Sequence, residues 1–160
     1  MKTLYLIDGY AQFFRAYHAV RSPMSSPVTG EPTNLTFGFV GMLLKLLRGQ
    51  EASMVATPSH LAVALDVSGD RGTFRSEVFN DYKATRPPPP EDLPVQVGRC
   101  LSLLEAIGVP MFGAEGYEAD DVIATIASAL ADDDVLVRTG SKDKDLKQLL
   151  SAGSFELYDV

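Results

Sequence analysis

Cysteine, histidine and long apolar runs are scarce in this sequence, and each scarcity excludes a class of protein. One of the 160 residues is cysteine, so no disulfide can form within the chain, and we expect a reducing, cytoplasmic compartment. The two histidines, His18 and His60, are far apart in sequence, and the chain has neither a third histidine nor a second cysteine to complete a set of zinc ligands. This argues against a zinc site. The apolar run Leu4–Ile7 is too short for a signal peptide or a membrane span. A soluble protein without a membrane partner is therefore expected.

Basic residues are also too few to balance the acids. The chain has 14 Lys and Arg against 21 Asp and Glu, which gives a net charge of -7. Because nucleic-acid-binding proteins usually carry a basic surplus, this charge argues at first against a nucleic-acid partner. If seven of the acids bind metal, however, the remaining 14 equal the basic residues in number. The location of the basic residues then matters more than their total.

Short apolar runs alternate with amphipathic stretches along the chain. The length and the 46% hydrophobic content suit one domain covering residues 1–160. Five runs are predicted as strands: Thr3–Ile7, Leu61–Leu65, Val109–Phe112, Val135–Arg138 and Phe155–Tyr158. Five stretches are predicted as helices: Ala11–Val20, Leu35–Leu47, Pro94–Ile107, Glu118–Leu130 and Asp145–Leu150. This alternation predicts an α/β fold with a mainly parallel sheet and helices on both faces.

Two polar stretches interrupt the alternation. Arg21–Thr33 is rich in turn-forming residues, and Val67–Asp92 is basic and ends in the proline run Pro87–Pro90. The proline run favours polyproline II structure, which serves as a spacer or as an adaptor-binding ligand. Aromatic and basic residues interleave in the second stretch: Phe74, Phe79 and Tyr82 with Arg71, Arg75, Lys83 and Arg86. Single-strand binders show this pattern, as does a solvated amphipathic loop.

Acidic residues follow the predicted strands, at the sheet edge where α/β proteins bind ligands. Asp8 directly follows the first strand, Asp66 follows the second, and Asp143 and Asp145 come shortly after the fourth. Each acid alone has an ordinary explanation as a helix N-cap or a solvated residue. Their joint placement at one edge favours a binding site.

Three further acids, Glu118, Asp120 and Asp121, begin the predicted helix Glu118–Leu130. The helix macrodipole stabilises one or two acids there, but three repel one another. In a regular helix Glu118 and Asp121 share a face, whereas Asp120 points elsewhere. Oxygen ligands alone favour Mg²⁺ or Mn²⁺, and paired ions roughly 4 Å apart promote phosphodiester hydrolysis. The sequence therefore predicts a metal-dependent phosphodiester hydrolase.

Five blocks of sequence resemble the 5′-nuclease family, which includes the N-terminal 5′-3′ exonuclease domain of bacterial DNA polymerase I and stand-alone flap endonucleases. They are Leu6–Tyr10 with Phe14–His18, Leu65–Asp66 with Thr73–Arg75, Tyr82–Pro87, Gly116–Asp121, and Asp143–Leu146 with Gln148–Leu149. The blocks occur in the family's order and span nearly the whole chain. Such agreement is much more specific than any single motif.

The resemblance implies a three-layer, PIN-like or resolvase-like fold and a Mg²⁺- or Mn²⁺-dependent nuclease. Its substrates would be DNA with a 5′ end or flap and RNA–DNA primers, in DNA replication and repair. It implies a first metal site and shell made of Asp8, Asp66, Glu118, Asp120 and Asp121. It also implies that Asp143 and Asp145 lie toward a second metal ion.

In this family the segment at about 67–92 forms a helical gateway or arch over the active site. The resemblance places Arg75, Lys83 and Arg86 against the scissile phosphate or the strand beside it, with Tyr82 stacking on a base. Lys83 and Arg86 would also steady the charge that develops during cleavage. Three residues shortly after the first acid are further candidates for DNA contact: Tyr10, Gln12 and Arg15.

The sequence departs from the family pattern in two places. Lys142 precedes Asp143, where the family usually has glycine. The chain also ends at Val160, before further acids of the second metal site and a helix-hairpin element that grips duplex DNA in family members. We therefore expect a monomeric fragment of a longer protein, such as a DNA polymerase I, with weak cleavage or none by itself.

Three other functions stay open. A non-catalytic DNA-binding module would keep the fold and use the acids structurally, and it would gain no thermal stability from millimolar Mn²⁺. A small-molecule phosphohydrolase commonly has a second Asp two residues after the first, where Tyr10 stands here. A PIN-class ribonuclease shares four acids but lacks the long basic segment.

Overall fold

A five-stranded parallel sheet forms the middle of the protein. The computed structural model describes residues 2–49, 57–68, 73–79, 83, 85–131, 134–141, 144–152 and 154–158. The strands are β1 (Lys2–Asp8), β2 (His60–Ala64), β3 (Met111–Phe112), β4 (Val135–Gly140) and β5 (Phe155–Tyr158). Their order is β3-β2-β1-β4-β5, and every neighbouring pair is parallel. The predicted parallel sheet is confirmed.

Helices connect the strands at nearly all the predicted places. They are α1 (Gly9–Ala19), α2 (Asn34–Leu47), α3 (Phe74–Val78), α4 (Leu93–Ala106) and α5 (Ala119–Ala129). A 3₁₀ helix, Asp145–Ala152, takes the place of the last predicted α-helix. Of the helices described, α3 was not predicted from periodicity, because five residues are too few to show a helical period, although the family resemblance implied helical structure in this segment. Among the described helices, none has the length and apolar character needed to cross a bilayer.

The core lies in two parts, one on each face of the sheet. Tyr5 and Ile7 of β1 pack with α1, α2 and α4 on one face. Leu6, which alternates with them, packs with α5 and the 3₁₀ helix on the other. The expected three-layer arrangement is therefore present. Cys100 lies at full burial in the first core, and burial raises the pKa of its thiol to about 11, so it acts as a packing residue.

The parallel strands bring their carboxyl ends to one edge, and β1 lies at the point where the chain changes direction through the sheet. Ligands bind at such switch points in α/β folds. Asp8 ends β1, opposite Ala64 of β2. Gly9 follows in very close contact with the next strand, since a Cβ there would lie 2.6 Å from Leu65 Cδ2 and 3.1 Å from the Ala64 carbonyl oxygen. Glycine is thus what allows β1 to end this close to the loop that carries Asp66.

Candidate metal centre

The loop before α5 is hydrogen-bonded to the first part of the basic insertion. Gly116 has a left-handed backbone, with φ of 83°, which a glycine adopts without steric cost. Its N–H donates to Ser68 Oγ at 2.7 Å, and its carbonyl accepts from the Phe74 N–H at 2.7 Å. Both contacts were missed from the sequence, where Ser68 carries no motif. They bring the insertion directly beside the start of α5.

Three carboxylates converge where α5 begins. Glu118 is the N-cap, with an extended backbone, and its N–H donates to Asp121 Oδ2 at 3.0 Å. One oxygen each from Glu118, Asp120 and Asp121 lies within 4.8 Å of the others. The prediction that Asp120 points away was wrong, because Glu118 precedes the helix and does not follow its 3.6-residue period. Among the described residues, this is the group that can surround a single ion.

Asp66 and Asp8 are each held by a backbone donor at the same edge. Asp66 Oδ1 accepts from the Ala119 N–H at 2.8 Å, which fixes Asp66 against the first turn of α5 and beside Glu118. Asp8 Oδ1 accepts from the Ala11 N–H at 3.3 Å, as the N-cap of α1. A helix N-terminus stabilises a carboxylate through its free N–H groups and its dipole. Both acids therefore have defined positions at the edge of the sheet.

Arg75 of α3 reaches into the carboxylate group. Its Nη1 lies 2.8 Å from both Glu118 Oε2 and Asp121 Oδ2, and its Nη2 lies 2.9 Å from Asp121 Oδ1. The hydrogen bonds to Asp121 are the main cause that raises the pKa of Arg75 above its ordinary value. The guanidinium is thus a fixed counter-charge to two of the three acids.

Lys83 supplies a second counter-charge. Its Nζ forms an ion pair with Glu118 Oε1, the carboxylate oxygen that Arg75 does not contact. The Lys83 backbone is left-handed, with φ of 56°, which is uncommon for a residue with a side chain. Glu118, with 8% of its side chain exposed, therefore lies between two cations from the insertion.

The pKa values of the neighbouring acids Asp120 and Asp121 are shifted in opposite directions. Burial, followed by the charge of Asp121, raises the pKa of Asp120. Burial would also raise the pKa of Asp121, but hydrogen bonds from Arg75 and from the Glu118 N–H outweigh it and lower that pKa. Of Asp120 and Asp121, Asp120 is therefore the acid whose negative charge the surrounding protein compensates less.

The donor set fits a hard divalent cation. It offers only carboxylate oxygens, which Mg²⁺ and Mn²⁺ prefer, and no described sulfur or imidazole is part of the group. Within the described part of the chain, these three carboxylates lie with two basic side chains, so the group has a net negative charge that suits a cation. Burial and the charge of Asp121 raise the pKa of Asp120, which means that its ionised form is unfavourable. A bound cation would stabilise that ionised form.

The other predicted site residues in the described part of the chain differ in their exposure. Arg15 and Arg86 are exposed, as is Asp145 at the start of the 3₁₀ helix, while Tyr10 is half-buried with its ring 5.6 Å from that of Phe13. The backbone N–H of Arg86 donates to the Lys83 carbonyl at 3.1 Å, within the basic insertion. Two predicted site residues lie outside the described part of the chain: Tyr82 and Asp143.

Gln12 corrects one prediction. It was a candidate for DNA contact, but it is buried and its Nε2 donates to the Gly140 carbonyl at 3.4 Å. The contact joins α1 to the end of β4 across the switch point. Its spacing from Phe13 and Ala16, both on the buried side of α1, was the signal that its polar character obscured.

Comparison of the sequence with known proteins gives a consistent result. The family described as "5′-3′ exonuclease, N-terminal resolvase-like domain" matches residues 3–159. DNA polymerase I of Rhizobium leguminosarum is 41% identical over 157 residues, which are 98% of this chain and 15% of that protein. A 5′-3′ exonuclease of Aquifex aeolicus is 38% identical over 151 residues, 94% of this chain and 49% of that protein. The chain thus spans about half of one curated relative and a much smaller part of the other.

Solved structures show the same fold. A bacteriophage T5 flap endonuclease, determined as a pseudo-enzyme-product complex with DNA and metal ions, superposes with a TM-score of 0.66 at 22% identity. The comparison covers 99% of this chain and 55% of that one. A T5 protein co-crystallised with metal ions gives a TM-score of 0.64 at 21% identity. At such identity the likeness concerns the fold.

Proposed function

The chain belongs to the family of 5′-3′ exonuclease N-terminal, resolvase-like domains, and from that premise we propose that it is the metal-binding part of a nuclease that hydrolyses phosphodiester bonds in DNA. The family resemblance drawn from five sequence blocks is thereby confirmed. The observation that carries the proposal is the group of Glu118, Asp120 and Asp121 at the sheet edge, with basic residues of the insertion paired to it. Carboxylates bind divalent cations, and basic side chains bind phosphate groups. A site for phosphodiester hydrolysis needs both kinds of group next to each other.

Mg²⁺ or Mn²⁺ is the cofactor that we propose. Asp8, Asp66, Glu118 and Asp120 would hold the first ion, with Asp121 in the surrounding shell. Asp143 and Asp145 would lie toward a second ion in the full-length protein. When bound, such ions polarise a phosphate and lower the pKa of water. The protein contributes rigid ligand positions, since backbone N–H groups hold Asp8 and Asp66.

The basic insertion is the proposed path of the DNA strand. Lys83 and Arg86 would contact the scissile phosphate and steady developing charge, and Tyr82 would stack on a base. Tyr10 and Arg15, on the helix that follows Asp8, would contact the same strand. The exposure of Arg15 and Arg86 at the protein surface supports this path.

The substrate and partners of the whole protein are also proposals. We propose DNA with a 5′ end or flap and RNA–DNA primers as substrates, in replication and repair. A curated DNA polymerase I relative is more than six times as long as its matched part, which supports polymerase domains in the same full-length chain. The single cysteine supports a cytoplasmic location, and we propose that the chain is a monomer.

Metal binding gives the direct test of the proposal. Thermal melts of the chain at pH 7 should show Mn²⁺-dependent stabilisation of about 3–6 °C when Mn²⁺ is roughly tenfold above its Kd. Asp66→Ala should remove this gain. Glu105→Gln, which changes an exposed acid on α4, is the matched control and should retain it.

A labelled 5′-flap duplex with Mg²⁺ completes the test. We expect slow cleavage by this chain alone, because it spans half or less of the curated relatives, and we expect Asp66→Ala to abolish it. Robust cleavage would contradict the expected handicap. Cleavage that persists in Asp66→Ala would contradict the site itself.

A non-catalytic DNA-binding module is the second candidate, and one observation favours it. Arg75 and Lys83 supply two positive charges to the three carboxylates of Glu118, Asp120 and Asp121. Such a module would bind single-stranded DNA in the presence of EDTA. It would show no Mn²⁺-dependent rise in Tm, which separates it from the nuclease.

A further inference from the structure

The protein contacts the Arg75 guanidinium on more than one side. Both terminal nitrogens of its guanidinium bind carboxylates, and the group lies 4.7 Å from the centre of the Phe74 ring. Phe74 in turn packs on Tyr117, at 5.5 Å between ring centres, directly before Glu118. The guanidinium is therefore held from two sides, by carboxylates and by an aromatic pair.

The partner of Arg75, Asp121, has both oxygens committed within the protein. Oδ1 accepts from Arg75 Nη2, and Oδ2 accepts from Arg75 Nη1 and from the Glu118 N–H. Asp120, by contrast, is half-buried and receives one hydrogen bond, from the Asp121 N–H at 2.9 Å. Two adjacent acids in one helical turn therefore have different tasks.

We propose that Arg75 is a positioning residue that withholds Asp121 from the metal ion and fixes Glu118, so that a side chain of the insertion sets the charge offered to the cation. This role rests on the proposed function and deepens it. It differs from the phosphate contact that the family resemblance implies for Arg75. A bidentate guanidinium suits the task, because it binds a carboxylate in one fixed orientation.

Charge balance gives the sign of the effect. Without Arg75, the three carboxylates lose one of the two basic side chains that contact them in the described part of the chain, and the freed Asp121 can turn toward the cation. The Coulomb attraction gained by a divalent ion roughly 5 Å from one uncompensated charge is worth about tenfold in Kd even with water-like screening. Loss of Arg75 should therefore tighten metal binding, whereas loss of a metal ligand should weaken it.

The test measures the Kd of Mn²⁺ for the chain by titration calorimetry, without DNA. Arg75→Met, which keeps length and removes the charge, should bind Mn²⁺ about tenfold more tightly. Arg75→Lys keeps the charge and should stay within about twofold of the unaltered chain. Arg99→Met is the matched control, since Arg99 also makes a two-point ion pair but on the remote surface of α4, and it should leave the Kd unchanged.

The double variant Arg75→Met/Asp121→Asn separates a withheld acid from a ligand. Since it removes one charge of each sign, its Kd should return to within about twofold of the unaltered value. Weakening of the double variant by tenfold or more would show Asp121 to be a ligand and would overturn the proposal. Because it keeps the charge balanced, this variant also carries the test if Arg75→Met melts too low to be titrated.

Two other outcomes would also overturn the role of Arg75. An unchanged Kd in Arg75→Met, together with weaker binding of a 5′ single strand, would make Arg75 a phosphate contact. A weakened Kd would show that Arg75 supports the ligands without competing for their charge. Absence of Mn²⁺ binding by the unaltered chain would instead reject the metal site, and this role with it.

Discussion

Two arginine–carboxylate pairs in this protein have nearly the same geometry and different surroundings. Arg75 binds Asp121 through two nitrogens at 2.8 and 2.9 Å, and Arg99 binds Glu31 through two nitrogens at 2.8 and 3.2 Å. The exposed fractions of the side chains are 27% and 23% in the first pair but 64% and 32% in the second. Solvent screens the second pair, so it contributes little to stability.

The neighbours of each pair differ even more than the exposure. Arg75 also contacts Glu118, and the charge of Asp120 lies close enough to raise the pKa of Arg75. In the second pair, the hydrogen bond between the two side chains is the main cause of both pKa shifts. It lowers the pKa of Glu31 and raises the pKa of Arg99. Two-point geometry alone therefore does not distinguish the two pairs. Coupling to further charges, in partial shelter from water, is what distinguishes the Arg75 pair.

Removal of the acid at the centre of the sheltered cluster should have the largest effect. Glu118→Gln removes the one carboxylate that both Arg75 and Lys83 contact, and we expect the free energy of unfolding in EDTA to fall by about 2 kcal/mol. The value is below that of a fully buried pair because both cations keep some contact with water. Urea denaturation at pH 7 measures it, with Glu105→Gln as the control.

A fall no larger than that of the control would contradict the comparison. It would mean that the sheltered ion pairs, like exposed ones, contribute no measurable stability. Chemical denaturation is the suitable method here, because a change in midpoint at constant slope reports stability itself.

Asp120→Asn should have a smaller effect of opposite sign. Because burial and the charge of Asp121 raise the pKa of Asp120, its ionised form is unfavourable in the folded state. Neutralising it should raise the Tm in EDTA by about 2–4 °C, while abolishing the Mn²⁺-dependent gain. Differential scanning calorimetry with and without Mn²⁺ checks both results.

The pH dependence of that gain has a defined sign. An acid with a raised folded pKa destabilises the protein above that pKa, and the cost disappears as the pH falls through it. The Tm difference between Asp120→Asn and the unaltered chain should therefore shrink from pH 7 toward pH 4. Asp121 behaves oppositely, since its lowered pKa gives stability that is lost only at more acidic pH. A difference that grew on acidification would contradict the assignment of Asp120.

The edge of the sheet could be predicted because it follows from local patterns. Apolar runs locate the strands, and a parallel sheet necessarily brings their carboxyl ends together, so the sequence alone assigns Asp8 and Asp66 to one edge. The helix after Glu118 was equally clear from its apolar stripe. These signals depend on neighbours within a few residues.

The contacts of the insertion could not be predicted in this way. Arg75 and Glu118 are 43 residues apart, and Lys83 and Glu118 are 35 apart, so no local period connects them. The residue types of the insertion predicted phosphate contacts, but the folded chain shows that two of its cations first compensate acids. The convergence of Glu118 with Asp120 was also beyond a helical projection, because the Glu118 N-cap has an extended backbone and does not follow the helical period.

The smallest effect is expected at the exposed pair. Arg99→Met should leave the Tm unchanged within about 1 °C and should not alter Mn²⁺ binding, because solvent already screens the Glu31 charge. Calorimetry at low and at 0.5 M salt measures the first, and titration the second. A fall of more than about 3 °C that disappears at 0.5 M salt would show that two-point geometry stabilises the junction between the loop at 21–33 and α4 even in water. Shelter would then no longer explain why the Arg75 pair differs, and its coupling to Glu118 and Asp120 would have to account for the whole difference.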